Sequence, residues 1–179
     1  MNRQILEKTL AQISAAPDTL PHLLIEKLLQ TGQKIAVAES CTGGMLSQKI
    51  TDVSSASKVF DCGVCAYANF IKRDVLNVSE NLLQTFGAVS PQTAIAMARG
   101  VKKLAFADIG IATTGIAGPG GGTAEKPIGL VYIGVCTEEK AYAIKCLWCK
   151  DKSFTREEIR ELTTAAAFCY ALKEIVGFS

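Results

Sequence analysis

Ile35-Ala36-Val37-Ala38-Glu39-Ser40-Cys41-Thr42-Gly43-Gly44 decides the fold of this chain. Five residues suited to a buried strand run straight into a serine, and a helical pattern begins at Met45, directly after the glycines. A side chain at such a strand-to-helix corner stands at the carboxyl end of a sheet, beside the unpaired N–H groups of a helix start. Anions and developing oxyanions are stabilised there. Ser40 is therefore the candidate nucleophile, and Gly43 and Gly44 are where the backbone can approach a ligand closely. Taken alone, the same corner also suits a serine that only caps a helix and glycines that only turn the chain.

The segments around it extend the pattern. Residues 1–33 read as two helices broken around Ala16-Pro17-Asp18, the second ended by Gly32. A short helix over Met45–Thr51 leads to a second strand, Phe60–Tyr67, which empties into Ala68-Asn69-Phe70-Ile71-Lys72 and a helix over 70–77. If the two strands are parallel neighbours, Tyr67, Asn69 and Lys72 face the first corner. Ser79 opens a short helix, and Ser90-Pro91 announces a longer one reaching about Phe106. A third strand, Ala107–Thr113, runs into Thr114-Gly115-Ile116-Ala117-Gly118-Pro119-Gly120-Gly121-Gly122, a loop rich in bare N–H groups of the kind that cradles phosphate or carboxylate. Strands over 130–136 and 141–149 form a hairpin, and Thr155 with Glu158 caps a final helix to about Val176 that carries Arg156 and Arg160 on its first turns. The expected architecture is a three-layer α/β/α sandwich with a mixed, mostly parallel central sheet. All of residues 1–179 are expected to form one domain, with 1–33 a helical segment packed on it.

Composition narrows the function. At 179 residues with 49% hydrophobic content the chain can bury a core unaided. A net charge of +2 without basic runs argues against a general nucleic-acid or membrane-surface binder. No apolar run approaches the roughly 20 residues needed to cross a bilayer. The opening Met-Asn-Arg-Gln-Ile-Leu-Glu-Lys carries an acid where a signal peptide needs an apolar core, so the expected location is the cytoplasm. Seven cysteines without small-scaffold spacing read as reduced thiols. The two C-x-x-C pairs, Cys62/Cys65 and Cys146/Cys149, fall in strand-like stretches, where residues three apart point to opposite faces and cannot share a metal. His22, the one histidine, sits near the first turn of a helix, where a lone histidine is a surface or capping residue more often than a catalyst, so a Ser-His-Asp relay is not expected and Lys72 is the natural substitute base.

Together, Ala38-Glu39-Ser40-Cys41-Thr42-Gly43-Gly44, Ala66-Tyr67-Ala68-Asn69 with Lys72, Gly87-Ala88-Val89-Ser90, and Thr114-Gly115-Ile116-Ala117-Gly118-Pro119 through Lys126-Pro127-Ile128-Gly129 resemble the CinA C-terminal domain family. Its characterised members are nicotinamide-nucleotide amidohydrolases. The resemblance implies hydrolysis of the carboxamide of nicotinamide mononucleotide (NMN) to nicotinic acid mononucleotide and ammonia, with no metal and no cofactor, in a homodimer. It assigns Ser40, Lys72 and Tyr67 to catalysis. Glu39, Cys41, Thr42, Gly43, Gly44, Asn69, Thr114, Gly115, Ile116, Ala117, Gly118 and Arg156 are then expected to bind substrate. The chain departs from the family pattern at Ala68, usually a serine, and at Phe154-Thr155-Arg156, usually Gly-Asp-Arg.

On this reading Lys72, assisted by Tyr67, takes the Ser40 proton, and the N–H groups from Cys41 to Gly44 hold the oxyanion. Cys41 is the rival nucleophile, expected to point away from Ser40. The competing class is a pyridine-nucleotide or partner-binding module that keeps the pocket without the chemistry. A metal-dependent phosphohydrolase is a third reading, disfavoured because the sequence has no Asp/His cluster.

Overall fold

A computed structural model describes residues 1–13, 15–150 and 153–177. In chain order the elements are α1 (Arg3–Gln12), α2 (Leu20–Thr31), β1 (Ile35–Glu39), α3 (Met45–Thr51), β2 (Phe60–Cys65), α4 (Asn69–Asp74), α5 (Glu80–Phe86), α6 (Pro91–Leu104), β3 (Ile109–Gly115), β4 (Leu130–Cys136), β5 (Ala141–Leu147) and α7 (Arg156–Val176). Single turns of tighter helix occupy Ala56–Lys58 and Trp148–Lys150. The sheet order is β2-β1-β3-β4-β5. β1 pairs in parallel with both β2 and β3, and β4 alone runs against the others. The mixed three-layer α/β/α sandwich expected from the sequence is what forms.

Alternation along the strands divides the core. Ile35, Val37, Ile109, Ile111, Val131, Ile133 and Val135 face one layer, built from α1, α2, α3 and α7. Ala36, Ala38, Ala112 and Cys136 face the other, where α6 packs through Met97, Ala98 and Val101 beside Leu76, Val78 and Leu83. Side chains on the second face are small because the α6 backbone lies directly on the strands. A Cβ on Gly134 would sit 2.1 Å from the Ala94 carbonyl oxygen, and one on Gly110 would sit 2.2 Å from that of Ala98.

Some boundaries differ from the sequence expectation, each for a local reason. β3 starts at Ile109 because Asp108 ends the preceding turn, its carboxylate accepting the Lys34 N–H at 2.7 Å. β5 stops at Leu147 because Trp148 turns into the core and donates its indole N–H to Thr163 Oγ1 at 2.9 Å. Cys146 therefore lies on β5 and Cys149 in the turn beyond it. α4 ends at Asp74 and not 77, with Asn77 in the left-handed region at φ 55°. All seven cysteines are free thiols.

Of the residues that depart from the family pattern, Ala68 and Thr155 are helix caps. Ala68 is the N-cap of α4 and, lacking a side-chain acceptor, leaves that end uncapped. Thr155 caps α7 and forms a full capping box with Glu158, with N–H to oxygen distances of 3.2 Å and 2.7 Å. Two stability outcomes follow from this packing. Ala68→Ser supplies the missing cap and is expected to raise unfolding free energy by about 1 kcal/mol in urea denaturation. Gly134→Ala drives a methyl into the α6 backbone and is expected to lower it by about 2 kcal/mol or more.

Candidate active site

The site lies at the carboxyl ends of β1, β2 and β3. Ser40 continues the β1 face of Ala36 and Ala38, and its N–H donates to the Thr113 carbonyl at 2.9 Å. Cys41 turns to the opposite side and is built into the core with Leu46, Ile50 and Ile111. Burial pushes the Cys41 thiol up to about 12, so it is a thiol and not a thiolate at neutral pH.

Lys72 comes from α4, immediately after β2, and is 1% exposed. Its Nζ stands 3.3 Å from Ser40 Oγ, 2.8 Å from the Ala66 carbonyl and 3.1 Å from the Tyr67 carbonyl. No carboxylate among the described residues pairs with it. Desolvation holds its pKa below the ordinary lysine value of 10.5, a pull that the neighbouring Cys41 and Cys65 thiols oppose only in part. The expected Ser40–Lys72 juxtaposition is therefore present.

Glu39 does not reach a substrate face. It is 0% exposed, and its carboxylate accepts the Thr42 hydroxyl at 2.7 Å, the N–H groups of Gly44 and Leu46 at 3.0 Å, and the Ser47 N–H and hydroxyl at 2.9 and 2.7 Å. Thr42 Oγ1 also lies 2.8 Å from Thr113 Oγ1. The expectation of oxyanion donors from Cys41 to Gly44 is narrowed accordingly. The Gly44 N–H is spent on Glu39, and the Gly43 N–H on the Ser40 carbonyl at 3.2 Å. The N–H groups of Cys41 and Thr42 are taken by no carbonyl or carboxylate among the described residues, but Thr42 is 0% exposed, so Cys41 is the candidate donor that remains.

Tyr67 also differs from its expected part. Its side chain is 62% exposed, and its hydroxyl accepts from Arg156 Nη2 at 3.1 Å instead of meeting Lys72; it is the Tyr67 carbonyl that holds the lysine. Asn69 is exposed at the first turn of α4. The Thr114 hydroxyl is buried and committed to the Ala88 carbonyl at 2.7 Å. Gly115 and Ile116 close the stem of the glycine-rich loop, where the Ile116 N–H meets the Leu130 carbonyl and the Gly129 N–H meets that of Ile116, both at 2.8 Å. Ala117 and Gly118 are buried, while Gly120, Gly121 and Gly122 are exposed.

Sequence reasoning left Arg160 without an assignment. Its Nε and Nη2 grip the Thr42 carbonyl at 3.1 and 2.8 Å, while Arg156 Nη1 holds the Gly118 carbonyl at 2.7 Å. The first turns of α7 thus tie the serine corner, the exit of β2 and the glycine-rich loop together. The spacing of four residues already placed both guanidiniums on one side of the helix, but their reach into other segments has no local sequence signal.

His22 is exposed on the first turn of α2, away from this cluster. No group of three or more His, Cys, Asp or Glu suited to a metal occurs among the described residues, and no helix there is long and apolar enough to cross a membrane.

Residues 17–175 match the family model of the CinA C-terminal domain. A competence-damage inducible protein of Thermoanaerobacter pseudethanolicus is 54% identical over 155 residues, 86% of this chain and 37% of that protein. One from Caldanaerobacter subterraneus is 47% identical over 160 residues, 89% of this chain and 38% of its own length. The chain thus spans under two-fifths of the curated relatives it matches. Among solved structures, the competence/damage inducible protein CihA from Agrobacterium tumefaciens superposes with a TM-score of 0.83 at 38% identity, covering 87% of this chain and 93% of that one. A CinA superfamily protein from Klebsiella pneumoniae gives 0.84 at 26% identity, covering 91% and 99%. With the family matched along nearly its whole described length and its fold shared with solved members, this chain belongs to the CinA C-terminal domain family.

Proposed function

We propose that the domain is an amidohydrolase that converts nicotinamide mononucleotide to nicotinic acid mononucleotide and ammonia, with Ser40 as nucleophile and Lys72 as base. The observation that carries this reading is the Lys72 amino group, buried without a carboxylate partner, 3.3 Å from the Ser40 hydroxyl. In the neutral amine, the two hydrogens satisfy the carbonyls of Ala66 and Tyr67, and the lone pair is left for the Ser40 proton. The same contacts that bury the lysine therefore orient it as a base.

Ser40 Oγ attacks the carboxamide carbon as its proton passes to Lys72 Nζ. The carbonyl oxygen becomes the oxyanion, for which the Cys41 N–H is the candidate donor, worth about 3 kcal/mol in acyl transfer. Lys72 returns the proton to the departing nitrogen, and ammonia leaves an ester on Ser40. Water, deprotonated by Lys72, attacks that ester; nicotinic acid mononucleotide departs and Ser40 regains its proton. Arg156, exposed between the Tyr67 hydroxyl and the Gly118 carbonyl, supplies a positive charge suited to a mononucleotide phosphate.

Ammonia release from NMN, beside thermal stabilisation by NMN, tests this reading. Turnover is expected and should persist in a chelator, since Lys72 supplies the base; stabilisation without ammonia is the signature of a binding module. Ser40→Ala and Lys72→Met are each expected to lower kcat/KM by at least about a thousandfold in a folded protein. The active form of Lys72 is the neutral one, so kcat/KM should rise with pH through an apparent pKa below 10.5 and stay high above it. Lys72→Arg, which never loses its charge, should be inactive across that range. Cys41→Ala should retain kcat within about threefold, at a stability cost of about 1 kcal/mol for the lost buried sulfur; complete loss of turnover would transfer the nucleophile's role to Cys41.

A further inference from the structure

We propose that Glu39 is a positioning residue of this site: its buried carboxylate ties the start of α3 to the strand that delivers Ser40, setting the turn from which Ser40 and the Cys41 N–H address the substrate carbonyl. The assignment rests on the reading of Ser40 as the nucleophile.

Three alternatives fail on geometry. Glu39 is not a substrate ligand, because it is 0% exposed and five hydrogen bonds exhaust the roughly four lone-pair positions of a carboxylate. It is not the base, because strand alternation sends its side chain to the α3 face while Ser40 and Lys72 meet on the other. Nor is it an ordinary cap. The N-cap of α3 is Gly44, at φ 96°, with no side chain to offer, and the acceptor comes instead from the last residue of β1.

That origin is what gives the contact its consequence. α3 has seven residues, too few to hold its own direction in water, so its orientation is set by what its first N–H groups bind. They bind a side chain whose backbone is one peptide unit from Ser40. A shift of the carboxylate moves the helix, the Thr42–Thr113 hydroxyl pair and the intervening turn together. Arg160 holds the same turn from outside through the Thr42 carbonyl. Cys41 lies between the two clamps, and its N–H is bound by no carbonyl or carboxylate among the described residues.

The test compares wild type, Glu39→Gln and Glu39→Asp in the intact chain, by NMN turnover and by labelling of Ser40 with a fluorophosphonate, which reports the nucleophile whatever amide is the substrate. Glu39→Gln keeps the shape but replaces one acceptor oxygen with a donor. We expect kcat to fall about 100-fold, as misplacements of order 1 Å do, with KM within about twofold and the pH midpoint unmoved, because Lys72 is untouched. Fluorophosphonate labelling should slow in proportion, and Glu39→Asp should recover part of the rate. Wild-type kcat in folded Glu39→Gln overturns the assignment; so does a rise in KM alone, which would mean substrate contact, or a moved pH midpoint, which would mean direct action on Lys72. If Glu39→Gln does not fold by circular dichroism, Thr42→Val removes one donor to the carboxylate together with the Thr113 link. It should cost about tenfold in kcat, and an unchanged kcat would overturn the assignment. If wild type labels at Ser40 without hydrolysing NMN, and Glu39→Gln labels slowly, the amidase reading fails and the Glu39 assignment stands. A wild type that does neither overturns both.

Discussion

A lysine ammonium taken out of water without a counter-ion is the most expensive single feature of this fold, and the site is arranged around it. Lys72 is 1% exposed and its Nζ meets only two main-chain carbonyls and the Ser40 hydroxyl. Neutral acceptors cannot match the hydration of a charge. The environment therefore disfavours the ammonium relative to water, and burial is the main cause of the downward Lys72 shift. Everything that brings Lys72 to Ser40 is main-chain geometry. β2 pairs in parallel with β1, the chain turns at Ala66 and Tyr67, and α4 begins at once.

The same sheet keeps the charges apart. Glu39 and Ser40 are consecutive, yet strand alternation sends the carboxylate toward α3 and the hydroxyl toward the lysine. A buried carboxylate beside Lys72 would stabilise the ammonium and remove the base. Here that carboxylate is saturated by Thr42, Gly44, Leu46 and Ser47 on the other face, and it adds order to the corner without pairing with the lysine. The positive groups Arg156 and Arg160 are likewise spent partly on the carbonyls of Gly118 and Thr42 and on the Tyr67 hydroxyl, which fixes three separate segments against one long helix.

Much of this was legible in the sequence because it depends on short-range pattern. The apolar run of β1, the Ser90-Pro91 and Thr155/Glu158 starts and the hairpin around Thr137–Lys140 all specify local backbone, and each forms where expected. The Ser40–Lys72 meeting was legible too, since two parallel strands put their exits on one edge. Side-chain commitments were not. Glu39 belongs to a motif that suggests a ligand, but whether a carboxylate at the end of a strand points to solvent or to a helix start depends on which layer that helix occupies. The Tyr67 hydroxyl is drawn to Arg156 across 89 residues of chain, and Arg160 reaches Thr42 across 118, contacts that no spacing rule encodes. The departures at Ala68 and Thr155 are changes of motif in the sequence and capping positions in the fold. One leaves a helix end unsatisfied, while the other replaces one capping residue with another.

The lysine also weighs between the two functional readings. A module that only recognised an anionic nucleotide would gain from a charged, solvated lysine, free to move onto a phosphate. Burial of Lys72 works against that use, because it lowers the charge and commits two of the three nitrogen hydrogens to carbonyls that cannot leave. Binding through Arg156 needs none of it, since that guanidinium is exposed, permanently charged and already at the loop. A buried lysine 3.3 Å from a half-buried serine hydroxyl is a cost to stability that binding would not require, and the proposed proton transfer from Ser40 is chemistry that would turn that cost to use.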